Sequence, residues 1–262
     1  MEVVSTSNNH VYDNRFDARK YLDFFYKMDP KTQKVDEESK FSLTFLSNLF
    51  SSAGRVKGQS LIEIGAGPTI HYILSACETF EKIYLTDYSQ ESLDEIKKWL
   101  NRNNDAFDWS PYIRFVCDLE NNGSTLNQKE EKIRRNVSLM KCDVTFTNPL
   151  HPKSLPLTDC LLMTSCLTSA CNTFKDFKIA VKNTVSLLKP GGHLIMYDYL
   201  GSSYYFVGEE KLSLLPIDEK IVLESVLESG CKIIEFQKFR GFHIPEEVFD
   251  CKTVLWLLAQ KL

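Results

Sequence analysis

Leu61-Ile-Glu-Ile-Gly-Ala-Gly-Pro-Thr69 is the stretch that decides the fold. A short apolar strand carrying one acid breaks at a glycine turn that opens the next element. Gly65 and Gly67 let the backbone pass close to a ligand, because neither has a Cβ to block the approach. A second strand, Lys82-Ile-Tyr-Leu-Thr86, delivers Asp87 at its carboxyl end. An acid there is placed to accept hydrogen bonds from both hydroxyls of a ribose. The two strands read as a nucleoside-binding crevice at the switch point of an open α/β sheet.

Outward from this pair, alternating elements predict a parallel sheet. Strand 60–64 leads to a helix over 69–78, and strand 82–86 to a helix over 89–103. A polar insertion of mixed charge, 119–135, reads as solvated loop and helix. Strand 138–142 closes on Asp143, strand 158–163 precedes a helix over 174–188, and Pro190-Gly191-Gly192 introduces strand 193–198, which closes on Asp198. Residues 201–208 read as a loop and 218–229 as a helix. The final strands, 231–238 and 253–260, have no helix between them, so an antiparallel ending is expected.

On the amino side, residues 1–14 are polar. A helix over 15–28 puts Tyr21, Phe24, Phe25 and Met28 on one stripe, and a helix over 36–52 does the same with Phe41, Phe45, Leu46 and Leu49. These two precede the first strand, so residues 15–55 are expected to cap the ligand end of a single domain spanning 1–262.

The composition, 43% apolar and 25% charged, is that of an ordinary globular protein. A net charge of −4 argues against a binder that tracks nucleic-acid phosphates. The eight cysteines form no Cys-x-x-Cys pair and the amino terminus reads as no signal peptide, so free thiols in the cytoplasm are expected. No apolar run suits a bilayer, and no spacing suggests a metal site.

Which nucleoside binds follows from what succeeds the glycines. Dinucleotide enzymes such as dehydrogenases add a third glycine; here the sequence is Gly67-Pro68-Thr69-Ile70-His71. Pro68 also removes an N–H that a pyrophosphate would use. A carboxylate and a sulfonium demand less. Cys142-Asp143-Val144 is placed for an adenine, with Asp143 accepting from the exocyclic amine and Val144 offering its N–H. With Pro190-Gly191-Gly192 and the antiparallel last strand, these features favour S-adenosylmethionine. The expected fold is the class I S-adenosylmethionine-dependent methyltransferase, a Rossmann-like seven-stranded α/β sheet with its last strand antiparallel and an N-terminal helical cap.

The residues Arg19-Lys-Tyr-Leu, Ile64-Gly-Ala-Gly-Pro-Thr-Ile, Leu85-Thr-Asp-Tyr-Ser, Ala106-Phe-Asp-Trp-Ser-Pro, Lys141-Cys-Asp-Val, Leu187-Leu-Lys-Pro-Gly-Gly and Ser203-Tyr-Tyr-Phe-Val-Gly-Glu carry a further resemblance. From Tyr12 onward the chain resembles the small-molecule amine N-methyltransferases, comprising the nicotinamide, indolethylamine and phenylethanolamine types, and is most similar to the first two. The resemblance implies direct in-line transfer of a methyl group from S-adenosylmethionine to a small aromatic amine or pyridine, by a monomer with no metal. It implies a cofactor set of Tyr21, Tyr26, Gly65, Gly67, Thr69, His71, Asp87, Tyr88, Ser92, Asp143, Val144 and Thr164. On the substrate side it implies Ser165, Asp198, Tyr199, Ser202, Tyr205 and Leu214, with Asp198 anchoring the acceptor.

Several positions depart from the family's pattern. His71 stands where a tyrosine is common, Ser92 where an asparagine is, and Thr168 at a position often acidic. Leu214 replaces a serine and Tyr199 an alanine, which makes the pocket poorer for nicotinamide's amide. These changes leave an alternative class: a protein that binds the cofactor with little turnover.

Overall fold

Seven strands make one mixed sheet in the computed structural model, which describes residues 16–28, 34–51, 54–241 and 244–262. The polar segment 1–14 and the first residue of the predicted helix 15–28 lie outside the described residues. The strands are β1 (Ser60–Ile64), β2 (Lys82–Asp87), β3 (Val137–Lys141), β4 (Thr158–Thr164), β5 (Leu188–Leu200), β8 (Cys231–Phe239) and β9 (Thr253–Lys261), with β6 (Tyr204–Val207) and β7 (Glu210–Ser213) forming a separate hairpin. Their order is β3-β2-β1-β4-β5-β9-β8. β1 pairs in parallel with β2 on one side and β4 on the other, so the crevice opens at their carboxyl ends. β9 runs antiparallel between β5 and β8, as expected.

Eight α-helices accompany the sheet among the described residues: α1 (Ala18–Phe25), α2 (Glu37–Phe50), α3 (Gln90–Leu100), α4 (Ser110–Glu120), α5 (Leu126–Asn136), α6 (Leu167–Ala170), α7 (Phe174–Val185) and α8 (Glu219–Glu228). Their starts are written locally. Asp17, Asp36, Ser89, Thr173 and Asp218 each accept an N–H of the helix that follows.

Strand alternation divides the core. Tyr197 and Trp256 face the cap, while Met196 and Leu257 face α7 and α8. On the cap side, Phe45, Leu46, Leu49 and Phe50 of α2 are buried, and Ser42 accepts the indole N–H of Trp256 at 2.9 Å. Each such large side chain contributes about 1.5–3 kcal/mol when fully buried, which fixes α2 over the sheet.

Four expectations are corrected. The helix over 69–78 is only two 3-10 turns, His71–Ile73 and Ala76–Glu78; residues 69–77 are buried on every side, so no amphipathic face organises a longer helix. The predicted stripe of α1 is rotated: Ala18 and Leu22 are buried, Tyr21, Phe25 and Met28 are only partly buried against the core, and Phe24 is 50% exposed. Residues 201–208 are not loop, since Tyr204–Val207 pair with Glu210–Ser213 across a turn at Gly208, where φ is +60°. Helix α4, unanticipated, begins with Pro111 in its first turn and ends at Asn121 in the left-handed conformation.

Candidate active site

The crevice holds a cavity of about 280 Å³, and its nucleoside end is organised by main-chain atoms. Gly65 and Ala66 both donate to the Thr86 carbonyl, at 2.9 and 3.0 Å, which pins the glycine turn to β2. Gly65 has φ +74°, and a Cβ there would lie 2.0 Å from the Cβ of Cys166. Gly67 has φ +57° and a Cβ there would meet nothing within 4 Å, so any side chain would project into space that the turn keeps clear.

Asp87 is held at both oxygens: Oδ2 accepts from Gly67 N at 2.8 Å and Oδ1 from Ser89 N at 2.8 Å. Burial raises its carboxyl to about 6 against these bonds. Asp143 is oriented by Thr145, whose N and Oγ1 donate to Oδ1 at 2.9 and 2.6 Å. The hydroxyls of Ser92 and Ser165 are buried without a partner among the described residues, and both residues line the cavity. Cleared glycines, a fixed acid and open hydroxyls fit a ribose, an adenine and an amino-acid tail.

The other end is aromatic. Tyr21 packs against Phe25 at 4.9 Å and reaches edge-on to Tyr205 at 6.4 Å, so the predicted aromatic stripe of α1 forms a cavity wall. Tyr199 and Tyr205 both meet Phe249 edge-on, at 4.7 and 6.1 Å. The β6–β7 hairpin is tied to the segment before β9: Asp250 accepts from Ser203 N and Tyr204 N, and Phe206 N donates to Val248 O at 2.9 Å. Leu214 follows the hairpin and completes this wall.

Of the anticipated residues, Tyr21, Tyr26, Gly65, Gly67, Asp87, Tyr88, Ser92, Asp143, Val144, Thr164, Ser165, Tyr199, Tyr205 and Leu214 line the cavity. Four others sit behind the wall. Thr69 spends its hydroxyl on the Ala66 carbonyl, at 2.9 Å. His71 is 1% exposed, stacked on Trp109 at 5.6 Å and beside Tyr26 at 4.8 Å; burial lowers it to about 3, so it is a neutral ring in an aromatic cluster. Ser202 is buried with its hydroxyl unpartnered among the described residues.

Asp198 is the fourth. Strand alternation turns it away from the face that carries Tyr197 and Tyr199. Oδ1 accepts from Thr168 Oγ1 at 3.1 Å and from Tyr199 N at 3.0 Å, and Oδ2 has no hydrogen bond among the described residues. Burial raises this carboxyl to about 7, opposed by Tyr199 N, by Thr168 and by the nearby hydroxyl of Ser165.

Two further acids had been given no role. Glu63 of β1 accepts from Thr164 Oγ1 at 3.2 Å and is raised by burial to about 8. Glu38 of α2 lines the cavity; in sequence it follows Asp36 and Glu37, where acids normally serve the helix N-terminus. Among the described wall residues there are five acids, Asp36, Glu37, Glu38, Asp87 and Asp143, and no Lys, Arg or His, which suits cationic ligands. No cluster of metal-ligating side chains occurs among the described residues, and no helix there is long and apolar enough to cross a membrane.

The profile of the NNMT/PNMT/TEMT family matches residues 4–262. The chain is 44% identical to human nicotinamide N-methyltransferase over 238 residues, covering 90% of this chain and 89% of that protein. It is 38% identical to mouse indolethylamine N-methyltransferase, with 86% and 85% covered, and 34% identical to the mouse phenylethanolamine enzyme, with 95% and 85% covered. Among solved structures, magnesium protoporphyrin IX methyltransferase from Synechocystis with bound S-adenosylmethionine superposes with TM-score 0.61 at 10% identity, covering 98% of this chain and 99% of that one. The [4+2]-cyclase SpnF superposes at 0.57 with 12% identity over 100% and 99%, so likeness at this level speaks for the fold and not for the reaction.

Proposed function

The chain belongs to the NNMT/PNMT/TEMT family, and on that premise we propose that it methylates the nitrogen of a small aromatic amine or pyridine. It is an enzyme, an S-adenosylmethionine-dependent N-methyltransferase. The observation that carries the acceptor class is one cavity with a nucleoside-shaped end and an aromatic, acid-bearing end free of basic side chains among the described residues.

S-adenosylmethionine supplies a methyl group already activated on a sulfonium, so the protein's work is alignment and exclusion of water. Asp87 would hold the ribose, Asp143 and Val144 the adenine, and Tyr21 of α1 and Tyr26 just past its end would close over them. Tyr199, Tyr205 and Leu214 would bound the acceptor, and their rings stabilise the positive charge that develops on its nitrogen. Asp198 would anchor the acceptor electrostatically from behind Tyr199, whose N–H it already binds. Net charge −4 and free thiols are in keeping with a monomeric cytoplasmic enzyme that has no nucleic-acid partner.

The test is transfer of labelled methyl from S-adenosylmethionine to nicotinamide, quinoline, tryptamine, serotonin and phenylethanolamine. Turnover of at least one member supports the proposal. Silence across the panel, with the cofactor bound, overturns it.

A further inference from the structure

Glu38 stands apart from the other acids on the wall. Asp87 and Asp143 belong to the nucleoside end, and Asp36 and Glu37 are exposed at the start of α2. Glu38 is half-buried, and its Oε1 accepts from Tyr197 Oη at 2.7 Å and from Ser42 Oγ at 2.9 Å. Both bonds fall on one oxygen of a carboxylate that faces the cavity. The phenols of Tyr26, Tyr72, Tyr197 and Tyr199 are within electrostatic reach of it. Tyr197 and Tyr199 rise from the cap-side face of β5, so Glu38 looks onto the acceptor end from the side opposite Asp198.

We propose that Glu38 takes the proton from an ammonium-type acceptor, so that the site is built for a protonated alkyl amine carried on an aromatic group. This rests on the methyl-transfer function proposed above and names the acceptor within it. An alkylammonium has no lone pair with which to react. Its N–H proton passes to the Glu38 carboxylate. The freed lone pair then forms the N–C bond to the methyl carbon as the C–S bond breaks and its electron pair goes to sulfur. Positive charge moves from sulfur to the product nitrogen, and the proton on Glu38 leaves to solvent through the cavity mouth. Burial, with Asp36 adding to it, lifts this carboxyl to about 7 against the Tyr197 and Ser42 bonds. Both protonation states are then available near neutral pH. A pyridine has no proton to lose and would not need the group.

The experiment compares the full-length protein with Glu38→Gln and Glu38→Asp on tryptamine and on quinoline, which carries no proton at neutral pH. Glu38→Gln should lower kcat with tryptamine by roughly 100-fold and leave quinoline within about threefold. Calorimetric affinity for S-adenosylhomocysteine should hold, and Glu38→Asp should recover part of the tryptamine rate. If the Gln variant fails to fold, the Asp variant must still slow tryptamine more than quinoline. Equal losses on both acceptors, an unchanged tryptamine rate, or a wild type that uses quinoline and not tryptamine each overturn the proposal. A wild type that uses nicotinamide and none of the aryl-alkylamines also removes it, whereas one that uses serotonin or phenylethanolamine takes that amine in tryptamine's place in the comparison. Silence on the whole panel removes the functional proposal first.

Discussion

At the nucleoside end of the cavity, position is set by main-chain atoms close together in sequence: the Gly65–Gly67 turn bonds to Thr86 O, and Asp87 is gripped by Gly67 N and Ser89 N. At the acceptor end, position is set by side chains from distant segments. Glu38 comes from α2, Tyr199 from β5, Tyr205 from the hairpin, and Phe249 from the segment before β9. The first end tolerates little change because the backbone itself is the binding surface. The second can be retuned residue by residue while the fold persists.

Substitution at the rigid end should do the most damage. Gly65→Val would force a β-branched residue to φ +74° and drive its Cβ to 2.0 Å from Cys166. Strain and overpacking together should cost about 3 kcal/mol and abolish S-adenosylhomocysteine binding, read by thermal melting and calorimetry. Retained cofactor binding would break the contrast between the two ends.

Asp198→Ala should come next. Turnover should fall by about 100-fold while affinity for S-adenosylhomocysteine stays within about threefold. Equal collapse of both would move Asp198 to the nucleoside end. A smaller effect is expected from Leu214→Ser, which restores a hydroxyl to the acceptor wall and should raise kcat/KM for nicotinamide by roughly tenfold relative to tryptamine.

The smallest effect concerns pH. His71 is held neutral, its folded pKa of about 3 lying below the ordinary 6.5. Its contribution to stability is therefore full above pH 6.5 and is lost as pH falls toward 3. His71→Phe should leave stability at pH 7.5 within about 1 kcal/mol and make the acid limb of the melting curve shallower. The raised carboxyls of Asp87, Asp198, Glu38 and Glu63 work in the other direction. Their folded values, about 6, 7, 7 and 8, lie above the ordinary range, so their contribution is full at low pH and is lost as pH rises through 6–8. An acid limb unchanged in His71→Phe would remove His71 from this account.

How much of this was legible in the sequence follows the same division. The glycine turn, Asp87, Asp143 and the antiparallel ending could be read from local requirements: positive φ, an acid closing a strand, and a final strand with no crossover helix. Glu38 was hidden because a run of acids at a helix start satisfies the helix N-terminus and looks complete. Asp198 was visible as a strand-end acid, but the face it takes depends on the register of β5 against β9, in which Tyr197 pairs with Trp256. The stripe of α1 had the right period, yet its aromatic side turned to the cavity and Ala18 and Leu22 took the core. Periodicity gives a face; only neighbours say what it meets.

The hairpin's attachment has a consequence for descent. Tyr205 pairs with Phe249 across an isolated bridge, and Ser203 and Tyr204 lean on Asp250. Two stretches far apart in the gene therefore vary under one constraint, since a change in either shifts the other's rings. New acceptor preferences would accumulate most readily as matched changes in residues 203–214 and 244–251, inherited as a pair, while the glycine turn behind them stays as it is.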